Sequence, residues 1–405
     1  MKARKIRVLI VDDSAIVRRI LAETIAAESD IEVVATAPDA YVARDKILAL
    51  HPDVITLDLE MPRMDGLTFL RQLMFLNPVP TLVVSSQGQS SCATTIEALR
   101  CGAVDVVAKP ATPHALRNLR LTLAEKIRGA AVSRPRPATD TPATSPSRRP
   151  IPAANIAEST DDSISVDIRK APRPNQSSIA DRRVARPQTR RGHVAAQSSS
   201  RSLIAIGAST GGTVAIQEVL TRLPADMPPI LITQHIPAGF SSAFAERLNR
   251  NCAIEVREAT PGDVLRPGLA LLAPGDHHLV LRDGPNGLIV DLDRGPEVCY
   301  LRPSVDVMFR SIAESVAASS AIAVLLTGMG SDGARGMFAL IQAGSATIAH
   351  DEASSVVYGM PREAIRLGAV DSIAPLSSIA PLLIRLALAS KPHTSPESTL
   401  QEALP

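Results

Sequence analysis

A chain of 405 residues, 45% of them hydrophobic, is longer than a single core usually grows, so at least two domains are expected. A formal net charge of +2 gives no electrostatic case for nucleic acid or an anionic membrane. The N-terminus is basic but reaches Asp12 too soon for a signal peptide, and no apolar run approaches the length of a membrane-spanning helix. Aromatic residues make up only 2% with no Trp, so the cores must be built from Val, Ile, Leu and Ala, which suits buried parallel strands. Cys92, Cys101, Cys252 and Cys299 show neither CxxC nor zinc-ligand spacing and read as reduced thiols in or near cores of a cytoplasmic protein.

Residues 6 to 127 alternate β-like runs (Ile6–Val11, Ile31–Ala35, Val54–Leu59, Thr81–Ser85, Val104–Ala108) with amphipathic stretches, which predicts a doubly wound five-stranded parallel sheet over residues 1–127. Asp12 and Asp13 follow the first strand, Asp58 falls at the end of the third, Ser85 ends the fourth and Lys109 follows the fifth. Open α/β sheets build their sites at those carboxyl ends. Crowded carboxylates call for a hard cation such as Mg²⁺, and Asp58 is then free to act as a nucleophile toward a phosphoryl donor. Taken singly, Asp12 and Asp13 could be solvated turn residues and Lys109 a surface charge, but the five together are not explained that way.

The placement of these five residues resembles that of response-regulator receiver domains. The resemblance implies that Asp58 is the phosphoacceptor, that Asp12 and Asp13 bind the metal with Glu60 adding its carbonyl, that Ser85 is the switch hydroxyl and that Lys109 pairs with the phosphate. Val106 stands where many receivers carry an aromatic switch residue, so no aromatic rotamer switch is expected.

From residue 128 to 201 Pro, Arg and Ser/Thr clusters replace any apolar period, which predicts a disordered linker. Strand signals return at Leu203–Gly207 and recur at Ile230–Thr233, Ala270–Ala273, Leu279–Leu281 and Ala321–Leu326, with helical stretches such as Val214–Leu223 and Ser304–Ala318. Residues 202–390 are therefore expected to form a mostly parallel α/β domain. Turn pairs at Asp283-Gly284 and Asn286-Gly287 predict hairpins inserted over Gly268–Asp293, and residues 391–405 read as a loose tail.

Three apolar runs in this second half each finish on a reactive side chain: Ser209 in Gly207-Ala-Ser-Thr-Gly-Gly212, His235 in Thr233-Gln-His-Ile-Pro237, and Asp332 after Thr327-Gly-Met-Gly-Ser. They supply a nucleophile, a base and an orienting carboxylate, in a chain order unlike the three familiar triads. Backbone N–H groups near Thr210 and Met329 could hold an oxyanion. The same glycines could cradle a phosphate, although the Walker Lys and the three-glycine dinucleotide spacing are missing. His277, His278 and His350 compete with His235 as bases, and the first two read as solvated turn residues.

With an N-terminal receiver-like segment, a linker, and the motifs Gly207–Gly212, Gln234–Pro237, Leu326–Gly333 and Tyr358–Arg362 in that order, the chain resembles the chemotaxis protein-glutamate methylesterase/protein-glutamine glutaminase family. The resemblance implies hydrolysis of γ-glutamyl methyl esters and deamidation of selected glutamines on methyl-accepting chemoreceptors. It also implies phosphorylation of Asp58 by a chemotaxis histidine kinase, Mg²⁺ in the receiver and no cofactor for the ester chemistry. The receiver would pack over the hydrolytic cleft until phosphorylated, in a cytoplasmic protein open to recruitment at receptor arrays. Two other classes compete: a non-enzymatic regulator that binds a partner through Gly207–Gly212, and a DNA-binding regulator suggested by the linker arginines, for which no helix-turn-helix pattern exists.

Overall fold

A computed structural model describes residues 4–133 and 203–388, apart from 87, 110–112 and 286. The expected linker, except its first six residues, and the expected tail at 391–405 lie outside the described residues.

The N-terminal half runs β1 (Ile6–Val11), α1 (Ala15–Ala26), β2 (Ile31–Ala37), α2 (Ala40–Leu50), β3 (Val54–Asp58), α3 (Gly66–Leu76), β4 (Thr81–Ser85), α4 (Gln89–Arg100), β5 (Asp105–Ala108) and α5 (Pro113–Val132). Its five strands are parallel in the order β2-β1-β3-β4-β5, with helices on both faces. Every residue of β3 and β4 is buried, which explains why neither strand alternates apolar with exposed polar residues. Side-chain caps start the helices: Ser14 accepts from Val17 N–H, Asp39 from Tyr41 and Val42, and Asp65 from Thr68.

The boundary expected at residue 127 falls too early. Leu119, Leu123, Ile127 and Ala130 continue one buried face, and the Arg128 guanidinium reaches Glu28 at 2.6 Å and Asp30 at 2.7 Å, so α5 holds its course to Val132.

The C-terminal half runs β6 (Leu203–Ala208), α6 (Gly212–Leu220), β7 (Ile230–Gln234), α7 (Phe240–Asn251), β8 (Glu255–Glu258), β9 (Leu269–Leu272), β10 (His278–Gly284), β11 (Gly287–Asp293), α8 (Val305–Ala313), β12 (Ala321–Leu325), α9 (Ala334–Gln342), β13 (Ala346–His350), α10 (Met360–Arg366), β14 (Ser372–Ala374) and α11 (Leu376–Leu388). Seven parallel strands lie in the order β14-β13-β12-β6-β7-β9-β8. The chain leaves β6 toward β7 on one side and returns to β12 on the other, so a topological switch point lies beside β6. Ligand sites of open α/β sheets form at such points.

Within Gly268–Asp293 the expected hairpins reduce to one, β10 with β11, because β9 joins the main sheet in parallel with β7 and β8. The helix expected over Ser304–Ala318 stops at Ala313, with a short 3-10 turn at Ala318–Ser320. Strands β8, β13 and β14 were not expected from the sequence: the first alternates charged and apolar residues at a sheet edge, and the last is only 3 residues long. Among the described residues no helix is long and apolar enough to cross a membrane.

Candidate active site and regulatory pocket

Strand register brings the backbone segments that carry the three reactive residues of the second half to neighbouring strand ends. Gly207 pairs with Thr233 on β7 and with Leu325 on β12, and Ala208 pairs with Gln234, so Ser209 and His235 leave adjacent strands side by side. Backbone bonds tie the three loops: His235 N–H donates to Ala208 O at 3.1 Å and Ser209 N–H to Thr327 O at 3.0 Å. Small residues are required here. A Cβ on Gly328 would lie 2.7 Å from Ser209 Cβ, and one on Gly212 would lie 2.1 Å from Gln234 Oε1. Gln234 in turn donates to Ser209 O at 2.8 Å, steadying the turn that carries the serine.

His235 Nε2 and Asp332 Oδ2 lie 2.8 Å apart. Asp332 sits at the N-terminus of α8, where Ser304 Oγ donates to Oδ1 at 2.7 Å, Asp306 N–H to Oδ1 at 3.1 Å and Val305 N–H to Oδ2 at 2.6 Å. Burial pushes its carboxyl up, but the bonds from His235, Ser304 and Val305 outweigh that and hold it below the usual carboxylate range. With Nε2 committed to Asp332, Nδ1 is the ring nitrogen left to take a proton, and among the described residues it has no hydrogen-bond partner. Ser209, His235 and Asp332 are only 8%, 6% and 1% exposed, so all three lie below the surface. Among the described residues, neither the Thr210 nor the Met329 amide donates to another backbone group, which leaves both available to an oxyanion.

The competing histidines separate. His350, at the end of β13, pairs with Ser354 Oγ at 2.9 Å, and His277 Nε2 accepts from Arg294 at 2.8 Å. His278 is no solvated turn residue: it opens β10, is 1% exposed, and bonds the Ser304 amide and Pro296 carbonyl. Cys299 also departs from expectation, being exposed on a two-residue turn with Tyr300, while Cys252 is half-buried and Cys92 and Cys101 are core residues.

In the first half, ligand oxygens of Asp12, Asp13 and Asp58 lie within 4.8 Å of one another. Lys109 Nζ approaches Asp58 Oδ2 at 2.7 Å and Asp12 Oδ2 at 3.3 Å, yet neither oxygen has a well-aligned hydrogen bond among the described residues. Burial raises the Asp12 carboxyl, and the neighbouring Asp58 raises it further; burial likewise raises Asp58 against the pull of Lys109. Such buried, under-satisfied oxygens suit a hard divalent cation. Glu60 donates its N–H to Asp58 Oδ1 at 3.1 Å and turns its carboxylate to the Ser91 hydroxyl. Ser85 Oγ, at the end of β4, lies 2.8 Å from Thr95 Oγ1 on α4, and Val106 is buried in β5.

A family model for the CheB methylesterase matches residues 204–383, and one for the response regulator receiver domain matches residues 8–120. A protein-glutamate methylesterase/protein-glutamine glutaminase of Syntrophus aciditrophicus is 46% identical over 382 residues, covering 94% of this chain and 99% of that one. The chain belongs to the CheB methylesterase family. A second member with the same name, from Chromohalobacter salexigens, is 47% identical, covering 96% of this chain and 98% of its own. The crystal structure of the Thermotoga maritima CheB methylesterase catalytic domain is 37% identical, covering 46% of this chain and 100% of that chain at a TM-score of 0.45.

In this CheB-family chain the receiver touches the loop that carries Ser209. Gly211 N–H donates to Val104 O at 3.2 Å, and Thr210 Oγ1 donates to Asp105 Oδ2 at 2.7 Å. Lys126 of α5 braces the same carboxylate at 2.8 Å. Gly129 of α5 faces Met329, whose Sδ would lie 3.2 Å from a Cβ there, and Arg247 of α7 reaches Glu97 of α4 at 3.0 Å. Sequence reasoning did not find Asp105, Glu97, Ser304 or Arg247. Only Ser304 carried a local signal, as an N-cap residue ahead of an amphipathic run.

Proposed function

We propose that this chain is a phosphorylation-controlled serine hydrolase that demethylates γ-glutamyl methyl esters and deamidates selected glutamines on chemoreceptors. The observation that carries the hydrolytic reading is the buried His235–Asp332 bond beside the Ser209 turn. The names of full-length relatives supply the substrate class.

Ser209 Oγ attacks the side-chain ester carbonyl while His235 Nδ1 takes the hydroxyl proton, with Asp332 holding the opposite N–H and stabilising the imidazolium. The tetrahedral oxyanion is received by the Thr210 and Met329 amides. Collapse breaks the C–O bond to methoxide, which leaves as methanol with the proton from His235. A water deprotonated by His235 then attacks the acyl-enzyme, restoring Ser209 and releasing the glutamate side chain. A glutamine substrate loses ammonia at the first step instead. Methylated receptor cytoplasmic helices incubated with wild-type and Ser209→Ala protein provide the test: near wild-type methanol release from the variant overturns the assignment of Ser209, and no release from the wild type favours a partner-binding output domain.

Control falls to the receiver. Asp12, Asp13 and Asp58, with the Glu60 carbonyl, would hold Mg²⁺, which when bound supplies the charge that lets an anionic phosphoryl group approach Asp58. A chemotaxis histidine kinase is the proposed donor. Lys109 would then pair with the phosphoryl oxygens and Ser85 turn toward them. Because Ser85 contacts Thr95 on the helix that also carries Glu97, its movement would bear on the Glu97–Arg247 contact and uncover the site. The relay runs through hydroxyls because Val106 offers no aromatic ring. The proposed setting is the cytoplasm, at receptor arrays.

A further inference from the structure

The first residue of β10 and the residue before α8 have no part in the proton transfers above, yet both stand behind the triad carboxylate. Ser304 is fully buried, with φ −118° and ψ 135° at the N-cap of α8. Its hydroxyl donates to Asp332 Oδ1 at 2.7 Å and accepts the Val307 amide at 3.4 Å. Its own N–H donates to His278 Nδ1 at 3.1 Å, and His278 Nε2 meets the Pro296 carbonyl at 3.1 Å. Both partners of His278 are backbone groups of fixed polarity. An amide can only donate and a carbonyl can only accept, so Nδ1 is the acceptor and Nε2 the donor of the ring.

We propose that His278 and Ser304 are positioning residues for the hydrolytic reaction, holding the N-terminus of α8 so that Asp332 presents Oδ2 to His235. This rests on the reading of Ser209, His235 and Asp332 as the hydrolytic centre. The physical argument is one of directions. Each Asp332 oxygen takes two donors, one of them the catalytic imidazole and the other three supplied by residues 304–306 at the start of α8. Rotation of that helix start would turn Oδ2 away from His235, and the Ser304 amide is the bond that ties it to the β10 hairpin. Without an acceptor at position 278 a fully buried N–H is left unpaired, and the cheapest relief is movement of the helix start. His278 also fastens Pro296, in the loop whose Arg302 bonds Asp276 at 2.6 Å, so one ring joins the hairpin, the loop and the cap.

The test uses the full chain and methylated receptor helices, with four variants: Ser304→Ala, Ser304→Thr, His278→Leu and His278→Asn. Asparagine keeps an acceptor near the Nδ1 position and threonine keeps the hydroxyl. Ser304→Ala and His278→Leu are expected to lower kcat roughly ten- to a hundredfold at unchanged KM, the scale of a misplaced catalytic group. They are also expected to shift the ¹H–¹⁵N resonance of the His235 ring N–H. The Asn and Thr variants should recover most of both. If the ring resonance and kcat stay at wild-type values in folded Ser304→Ala and His278→Leu protein, the proposal is overturned. It is equally overturned if all four variants lose activity only in proportion to folded protein. Should the wild type release no methanol, the hydrolytic reading fails on its own, and the His235 resonance still decides whether this pair holds Asp332.

Discussion

The Thr210 hydroxyl donates to the Asp105 carboxylate at 2.7 Å, so the residue after the proposed nucleophile is bonded directly to the last strand of the receiver. Lys126 and the Val106 amide take the other oxygen at 2.8 and 2.7 Å, which fixes the carboxylate in place. A buried bond of this kind to a charged group contributes about 1.5–3 kcal/mol. Asp105→Ala is therefore expected to raise the basal, unphosphorylated esterase rate of the full chain about tenfold or more. Arg247→Ala, which removes the contact with Glu97, should raise it by less. Basal rates at or below wild type in both folded variants would show that these contacts do not hold the site closed.

Glu97 gives the domain contact a pH dependence. Burial pushes its carboxyl up, but the hydrogen bond and charge of Arg100 and the charge of Arg247 bring it down to about 2, from an ordinary value of 4.5. A depressed carboxylate contributes stability that is present in full above the ordinary value and is lost as pH falls through the folded one. The stability difference between wild type and Glu97→Gln, measured by urea unfolding, should be constant near neutral pH. It should shrink steadily below about pH 4.5.

Asp12 and Asp58 carry the opposite sign. Their raised carboxyls hold protons more tightly in the folded chain, so they weaken the fold as pH rises through their folded range. Mg²⁺ should offset that cost, by about 2.7 kcal/mol at a hundredfold excess over its dissociation constant. Calorimetry should show a Mg²⁺-dependent rise in the receiver transition at neutral pH, smaller under acid conditions and abolished in Asp12→Asn. An equal rise in that variant would place the metal elsewhere.

A tether between two domains sets the local concentration of one at the other. For any flexible tether, effective concentration falls with roughly the −3/2 power of length. Shortening the segment between residues 134 and 202 should lower the basal esterase rate. Identical, strongly repressed rates in both lengths would mean that the interface alone sets the closed population.

By itself the sequence determined the five-stranded receiver-type sheet, the carboxyl-end positions of Asp12, Asp58, Ser85 and Lys109, and Ser209, His235 and Asp332 as strand-end groups. Each is a property of contiguous residues: a buried parallel strand is an unbroken β-branched run, and the residue after it falls at the sheet's carboxyl edge. Strands β8 and β14 escaped because a short edge strand has too little apolar pattern to mark it. The end of α5 escaped because its last turn is held by Glu28 and Asp30, about a hundred residues away. Only the tertiary structure decided that Nε2 of His235 faces Asp332, that Ser304 caps α8 and bonds that same carboxylate, and that His278 is a buried link behind it. The contact of Asp105 with Thr210 was decided in the same way. These pairings depend on strand register and on helix starts meeting distant carboxylates, and neither leaves a trace in local spacing.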